Sequence, residues 1–278
     1  MNVAVIMSVY FREVPAMLSR ALDSILNQQL AADVRVKIYL GVDGPVSEEL
    51  ERVIQTYQDR LHRVIRFTKN RGLAPVLNDL IGALEGEELI FRMDTDDVSY
   101  PHRFQRQIAF LNANPEVDIL GTSIVEVLEG SEERRVVHFS RTTENARQSI
   151  ARGVPVAHPT VCFRSTVFDT IGGYPVVKNN EDIALWFECL RHGFRFHNLR
   201  EPLYEFTVNK DFLRRRGFEK AFSEFVVYAK GIWLVHGLTL DYFYPLARFM
   251  LRLAPRYVQQ LAYGSRLRPR EISNGAAG

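Results

Sequence analysis

The sequence predicts an α/β protein with a mostly parallel sheet, helices on both faces and a helical C-terminal extension. Residues 2–9 form an almost continuous apolar run, which is typical of a strand buried on both faces. Strand-like and helix-like segments then alternate four times up to residue 111, as expected for a parallel sheet with crossover helices. From Phe212 onward the pattern is mainly helical.

The individual elements follow from local signals. Strands are predicted at 2–9, 34–42, 64–67 and 88–93, and helices at 15–26, 47–57, 75–84 and 101–111. Pro15 is favoured in a first helical turn, and Ser47 followed by Glu48 and Glu49 is a typical helix start. Beyond residue 112 we predict strands at 117–127 and 134–138, a helix at 144–152, an extended segment at 158–164 and a helix at 182–191.

Composition excludes several classes of protein. The chain is 46% hydrophobic and 24% charged, which excludes a disordered or collagen-like chain. Cys162 and Cys189 are too few for a disulfide framework and lack metal-ligand spacing, so we expect buried thiols in a reducing compartment. A net charge of +2 provides no global basic field for nucleic acid. No apolar run approaches the roughly 18 residues of a membrane span, and no secretory signal begins the sequence, so we expect a cytoplasmic location.

Charge is unevenly distributed along the chain. Residues 212–278 contain eleven Lys/Arg and four Asp/Glu, a net of +7, so the preceding residues carry −5. A helical stripe over residues 242–261 is rich in Tyr, Phe and Leu, with Arg248, Arg252 and Arg256 elsewhere around the helix. This pattern suits the anionic inner face of a membrane, and it equally suits a helix that packs on the core or on a second subunit.

Polar residues that follow the predicted strands are the candidates for a binding site. In open α/β sheets, ligands bind beyond the carboxyl ends of the strands. The residues at that edge are Ser8, Tyr10, Asp43, Asn70, Arg71 and the acidic run Asp94-Thr95-Asp96-Asp97. Three carboxylates in four residues repel one another unless a cation or hydrogen-bond donors compensate, and a hard divalent ion bridging phosphates meets that need. A solvated turn that caps the next helix is the alternative.

A second acidic pair, Glu181-Asp182, begins a predicted helix. Taken alone, Asp182 is a helix cap. The functional interpretation is a general base that deprotonates an acceptor hydroxyl near a nucleotide. Gly172 and Gly173, just upstream, permit a tight turn or a close approach of backbone to ligand.

In order, these pieces resemble family 2 of the inverting glycosyltransferases, of the bacterial O-antigen and exopolysaccharide type, which has the GT-A fold. The resemblance covers roughly residues 1–210, which we take as the catalytic domain, with 211–278 as a basic amphipathic helical extension. Its pieces are Ser8-Val9-Tyr10, Val42-Asp43-Gly44, Asn70–Ala74 with Asn78, Asp94–Asp97, Pro101 with Arg103-Phe104, His158-Pro159-Thr160, Gly172-Gly173-Tyr174 and Glu181-Asp182 with Trp186. Each piece alone is weak, whereas the ordered set is strong.

The resemblance implies a metal-dependent transferase that moves one sugar from a nucleotide sugar to a saccharide acceptor, and it favours UDP as the nucleotide carrier. The implied donor-binding residues are Ser8, Val9, Tyr10, Asp43, Asn70, Arg71, Asn78, Asp94 and Asp96. The implied ligands of Mn²⁺ or Mg²⁺ are Asp94, Asp96 and Asp97. Asp182 is the implied base and Glu181 flanks the acceptor, whose side of the site holds His158, Gly172, Gly173, Tyr174 and Trp186.

Two departures from the family pattern matter. Many members carry a histidine that acts as a third metal ligand. The corresponding stretch of this chain is residues 204–209, with Asn209 at the position of the histidine. The Gln-x-x-Arg-Trp motif of processive synthases is missing, which favours transfer of a single sugar. The basic tail favours a lipid-linked acceptor. The resemblance points the same way, because family members of this size often build bacterial surface polysaccharides on such lipids.

Two other functions compete with this interpretation. Asp94–Val98 superficially fits the aspartyl-phosphate motif of haloacid dehalogenase-type phosphatases, but that motif ends the first strand of their core, and three strand–helix units precede it here. A non-catalytic carbohydrate-binding protein would need neither the acidic run nor Asp182.

Overall fold

The computed structural model describes residues 1–128, 130–131, 133–139, 142–208 and 218–254. The strands within these ranges are β1 (Asn2–Val9), β2 (Arg35–Val42), β3 (Arg63–Arg66), β4 (Leu89–Arg92), β5 (Val98–Ser99), β6 (Ile119–Leu128), β7 (Arg134–Val137), β8 (Cys162–Arg164) and β9 (Phe196–Val208). The helices are α1 (Pro15–Leu26), α2 (Glu48–Thr56), α3 (Leu73–Ile81), α4 (Arg103–Ala113), α5 (Thr143–Ser149), α6 (Thr166–Ile171), α7 (Glu181–Arg191), α8 (Phe218–His236) and α9 (Phe243–Leu253).

One mixed sheet organises the chain, in the order β3-β2-β1-β4-β8-β6-β9-β5, with β7 paired to β6. The strands β3, β2, β1 and β4 are all parallel, as the alternation predicts. On the other side of β4, the antiparallel strand β8 joins it to β6, and β9 runs parallel to β6. The carboxyl ends of β1, β2 and β4 therefore lie at one edge, where the sequence places its polar candidates.

The first two helices have the starts that the sequence predicts. Pro15 occupies the first turn of α1, and the Ser47 hydroxyl accepts a hydrogen bond of 3.3 Å from the Leu50 backbone N–H at the start of α2. The third helix begins at Leu73 rather than Pro75, because Gly72 has a φ of 90° and turns the chain into it. The two apolar clusters that cover the two faces of the sheet contain most of the buried side chains.

The structure corrects one later prediction and adds two later elements that were not predicted. The segment 158–164 is a 3-10 turn over His158–Thr160 and then the short β8, so it is only partly extended. Helix α6 was not predicted, and neither was β9, although β9 spans 13 residues. Pro202 interrupts the strand pattern of β9, and a shift in its register with β6 accommodates the proline.

The C-terminal helices pack on the body through α7. Gly231 of α8 lies so close to the Phe187 ring that a β-carbon built there would be 2.1 Å from Cδ2. Tyr228 meets the same ring edge-on, with centroids 5.8 Å apart. The predicted boundary at 210/211 lies outside the described residues, as does Asn209. Across the described ranges, none of the helices combines the length and apolar character that spanning a bilayer requires.

Candidate active site

A buried carboxylate organises the edge formed by β1 and β2. Both oxygens of Asp43 accept backbone N–H donors, from Arg71 at 2.7 Å and from Gly72 at 2.9 Å. The Asn70 amide donates to the Asp43 carbonyl at 3.3 Å, and the Asp43 N–H donates to the Val9 carbonyl at 2.8 Å. Asp43 therefore fixes the loop that follows β3 against the end of β1.

The other residues that the sequence predicts to bind the donor line the same edge. Ser8 and Tyr10 are half-buried at the end of β1, and Val9 is buried between them. The exposed Arg71 guanidinium bonds Asp79 at 2.5 Å and lies 4.7 Å above the Phe67 ring. Its position beside the Asp43 loop leaves the guanidinium facing solvent at the rim of the site.

The acidic run after β4 is held by the end of β9. The Thr207 N–H donates to Asp97 Oδ1 at 2.7 Å, and the Thr207 hydroxyl donates to the Asp96 carbonyl at 2.8 Å. The Asp94 N–H donates to the Tyr204 hydroxyl oxygen at 3.3 Å. The resemblance placed residues 204–209 at the position of the third metal ligand, but it gave no role to Tyr204 or Thr207, because the strand that carries them was not predicted.

The chemistry of this acidic run fits a divalent cation. Asp97 is 1% exposed, and its Oδ2 has no hydrogen-bond partner among the described residues. Burial, together with the charges of Asp94 and Asp96, raises the pKa of Asp97 well above its ordinary value. A buried carboxylate that is repelled by two neighbouring carboxylates is a place where a cation restores balance.

Arg92, the residue two before Asp94, supplies a fixed positive charge beneath the run. It is 1% exposed, its guanidinium forms an ion pair with Asp94, and it also donates to the Met93 carbonyl. A second buried arginine, Arg103, donates to the Arg92 carbonyl at 2.9 Å. Sequence reasoning missed Arg92, because an arginine inside an apolar strand carries no pattern of its own.

The acidic pair of α7 faces the same charges. Asn180 adopts a left-handed conformation with a φ of 62°, and the helix starts directly after it with Glu181 and Asp182. Burial, with help from Glu181 and Asp94, raises the pKa of Asp182 to about 7. Burial also raises the pKa of Glu181, which the positive charge of Arg92 opposes. The acidic run and α7 thus lie on the same side of the molecule, within electrostatic reach of each other.

The predicted Gly172-Gly173-Tyr174 turn is clamped by Asn78 of α3. The Asn78 amide donates to the Tyr174 carbonyl at 2.9 Å, and Asn78 Oδ1 accepts the Tyr174 N–H at 2.6 Å. Gly173 has a φ of 122°, and a β-carbon there would lie 2.5 Å from Asn78 Oδ1. Both the nitrogen and the oxygen of the Asn78 side-chain amide bond this turn, so Asn78 joins α3 to it.

The other residues predicted for the acceptor side are buried below the surface of the protein. His158 Nε2 and the Tyr174 hydroxyl are 2.8 Å apart, and both residues are buried. Burial and the charge of Arg92 hold the pKa of His158 well below its usual range. Trp186 is 0% exposed and packs against His158 and Phe163, so it belongs to the core beneath the site rather than to a surface that an acceptor reaches.

A different cluster, His62, Glu85 and Glu87, brings three potential metal-ligand atoms within 4.8 Å. It lies at the amino ends of the strands, away from the acidic run. Lys37 Nζ already lies 2.9 Å from Glu85 and 2.8 Å from Glu87, and the Tyr39 hydroxyl donates to Glu87 at 2.8 Å. These donors satisfy the two carboxylates, and we interpret the cluster as a structural one.

The mixed sheet, with an acidic run at the carboxyl ends of its parallel strands, has the arrangement of a GT-A protein. The Glycosyl transferase family 2 model matches residues 4–172, and the chain belongs to this family. The chain is therefore a glycosyltransferase, which confirms the resemblance seen in its motifs. The phosphatase alternative is not supported, because the acidic run follows the fourth strand of the sheet.

Several named proteins are similar over most of the chain. It is 33% identical to the amylovoran biosynthesis glycosyltransferase AmsE of Erwinia amylovora, over 94% of this chain and 97% of AmsE. It is 28% identical to the Escherichia coli UDP-Gal:alpha-D-GlcNAc-diphosphoundecaprenol beta-1,3-galactosyltransferase, over 77% of each chain.

Solved structures confirm the GT-A fold. The structure of S. aureus TarS (residues 1–349) with UDP-GlcNAc aligns with a TM-score of 0.69 at 17% identity, covering 96% of this chain and 76% of that one. The mannosyltransferase PcManGT from Pyrobaculum calidifontis, in complex with GDP-Man and Mn²⁺, aligns with a TM-score of 0.63 at 18% identity, covering 95% and 79%.

The Asn78 clamp yields a direct test of the site's framework. We expect Asn78→Ala to lower the free energy of unfolding by about 2–3 kcal/mol, because both backbone groups of the buried Tyr174 lose their partner. Thermal or denaturant unfolding measures this loss. Asn112→Ala, at an exposed position of α4, is the matched control and should change stability little. Equal stabilities for the two variants would contradict the clamp.

Proposed function

We propose that this glycosyltransferase moves one sugar from a nucleoside diphosphate sugar to an acceptor hydroxyl, with inversion at the anomeric carbon. One observation carries the proposal: the acidic run after β4 and the acidic start of α7 lie close enough for their charges to act on each other, and Arg92 acts on both. A transferase that works by a single displacement needs such an arrangement, in which the leaving group is stabilised on one side and a base stands on the other.

The donor is proposed to bind along the carboxyl edge of β1, β2 and β4. The loop fixed by Asp43 and the end of β1 would enclose the nucleoside, with Asn70 and Arg71 at the rim. Their placement beyond the carboxyl ends of parallel strands is the usual location of nucleotides in such sheets. UDP is the proposed carrier, supported by the UDP-galactose donor in the name of the E. coli relative and by the UDP-GlcNAc bound to TarS.

Asp94, Asp96 and Asp97 are the proposed ligands of Mn²⁺ or Mg²⁺. When bound there, such an ion would supply positive charge to a leaving nucleoside diphosphate. In the structure the Asp97 oxygen without a donor and the neighbouring carboxylates provide the hard oxygen ligands that these ions prefer. The Mn²⁺ in the PcManGT complex supports this assignment.

Asp182 is the proposed base. It removes the proton from the acceptor hydroxyl as the hydroxyl oxygen bonds to the anomeric carbon and the bond to the diphosphate oxygen breaks. A carboxylate with a pKa of about 7 is a far better base than an ordinary aspartate, yet half of it is ionised at neutral pH. Glu181 would stand beside the acceptor, and the 172–174 turn clamped by Asn78 would shape the acceptor side.

The proposed acceptor is a lipid-linked saccharide of bacterial surface polysaccharide synthesis, met at the inner face of the cell membrane. The relatives support this: one acts in amylovoran biosynthesis, and another has a diphosphoundecaprenol-linked sugar in its name. The absence of the Gln-x-x-Arg-Trp motif supports transfer of one sugar per acceptor.

Replacement of the base tests the proposal. Asp182→Asn keeps the shape of the side chain and removes its basicity, so we expect a loss of transfer of about 10²–10⁴-fold with nucleoside diphosphate binding retained. Radiolabelled sugar transfer and calorimetric UDP binding measure the two effects. Asp169→Asn, at an exposed position of α6, is the matched control and should transfer normally. Near-normal turnover by Asp182→Asn would disprove the assignment of the base.

The pH profile provides a second, independent prediction. Asp182 acts as a base only when ionised, and its pKa is about 7, so kcat/KM should rise tenfold per pH unit below that value and level off above it. Steady-state transfer at saturating metal between about pH 5 and pH 9 measures the curve. A profile that is flat from pH 5 upward would show that an ordinary carboxyl, or none, limits the rate.

A further inference from the structure

Exposed apolar side chains are concentrated in the C-terminal helical hairpin, which we define as residues 218–254. Of the sixteen large apolar residues that are exposed within the described ranges, ten lie in this hairpin. They are Phe218, Phe222, Trp233, Leu234, Leu238, Leu240, Phe243, Leu246, Met250 and Leu253. Scattered exposed apolar residues need no explanation, but a concentration of this kind indicates an interaction surface.

The most exposed of these side chains form the end of the hairpin, which we call the hairpin tip (residues 233–243). Leu238 is 88% exposed and Leu240 is 92% exposed, in the turn between the helices. Trp233 and Phe243, on either side of that turn, are 57% and 67% exposed. From the tip, Leu246 and Met250 continue the apolar surface along α9, beside Phe249, whose ring lies 6.3 Å from that of Phe222 on α8.

Most charges around this surface are paired. Glu219 pairs with Lys178, Glu224 with Arg248 and Arg252, and Asp241 with His236, which carries a charge only when it is protonated. Lys220 and Lys230 are exposed and form no ion pair within the part of the chain that the structure describes. The hairpin therefore presents apolar and cationic groups to solvent, without an unpaired acid beside them.

We propose that the hairpin tip docks into the interface of an anionic lipid bilayer. Apolar residues that include an interfacial tryptophan, with lysines nearby, match a surface of acyl chains and anionic headgroups. A second copy of the chain fits less well, because a two-fold contact at the tip would bring the exposed Lys230 of both copies together without an unpaired acid of the described residues to meet them. The segment 255–278 also fits less well as a cover, since it carries four arginines and one glutamate and would add positive charge.

The hairpin is fixed to the helix that begins with Glu181 and Asp182. Gly231 allows α8 to approach the Phe187 ring of α7 closely, and Tyr228 packs against the same ring. Docking of the tip would therefore hold the acceptor side of the site at a set orientation to the membrane. This consequence rests on the proposed lipid-linked acceptor, whereas the docking itself does not.

Vesicle flotation tests the docking without donor or acceptor, so its outcome is separate from that of the transferase proposal. The full-length chain is floated with phosphatidylcholine vesicles containing about one third phosphatidylglycerol and with phosphatidylcholine alone. We expect binding to the anionic vesicles and a blue shift of Trp233 fluorescence, because the other tryptophan, Trp186, is already buried. The triple variant Trp233→Ser/Leu238→Ser/Leu240→Ser should lose more than about tenfold in partitioning.

The matched control is Leu128→Ser/Val136→Ser, which removes exposed apolar side chains from β6 and β7 and should float like the wild type. Donor hydrolysis in solution should be unchanged in both variants, which shows that each remains folded. Flotation of the triple variant at the wild-type level would overturn the proposal. So would a wild-type chain that stays off the vesicles, or one that light scattering shows to be a dimer which the triple variant converts to monomers.

Discussion

The buried ion pair between Arg92 and Asp94 is the interaction on which the site depends. Arg92 is 1% exposed, and a guanidinium buried without a partner costs several kcal/mol. The surrounding acids offset that cost: Asp94 by direct contact, and Glu181 through space. The same positive charge attracts Asp94 of the acidic run and Glu181 at the start of α7. Removal of Arg92 would leave these two acids to repel each other.

Much of the site was predictable because it lies where short-range patterns are strong. Apolar runs followed by polar residues mark the ends of β1, β2 and β4, and parallel pairing then brings Ser8, Asp43 and Asp94 to one edge without further information. The pairing of Asn78 with the 173–174 turn was not predictable, because it joins side chain and backbone 96 residues apart. Arg92 was overlooked for a related reason: its importance comes from partners brought together only by the fold.

The later half of the sheet escaped prediction for physical reasons. In β9, Arg200, Glu201 and Pro202 break the alternation that marks a strand, and only the pairing with β6 and its register shift allow the chain to stay extended there. Strand β8 has three residues, too few for a periodic signal, and it pairs antiparallel within a largely parallel arrangement. Tertiary pairing outweighs local preference in both cases. As a result, Tyr204 and Thr207, which hold the acidic run, were missed.

We propose that one nucleotide sugar bridges the acidic run and α7. A crystal structure of the protein soaked with UDP and Mn²⁺, with data collected at the manganese absorption edge, tests this most directly. We expect an anomalous peak beside Asp94 and Asp96, with the diphosphate directed toward Asp182. A peak at His62, Glu85 and Glu87 instead, or UDP bound away from the carboxyl edge of β1 and β4, would contradict it.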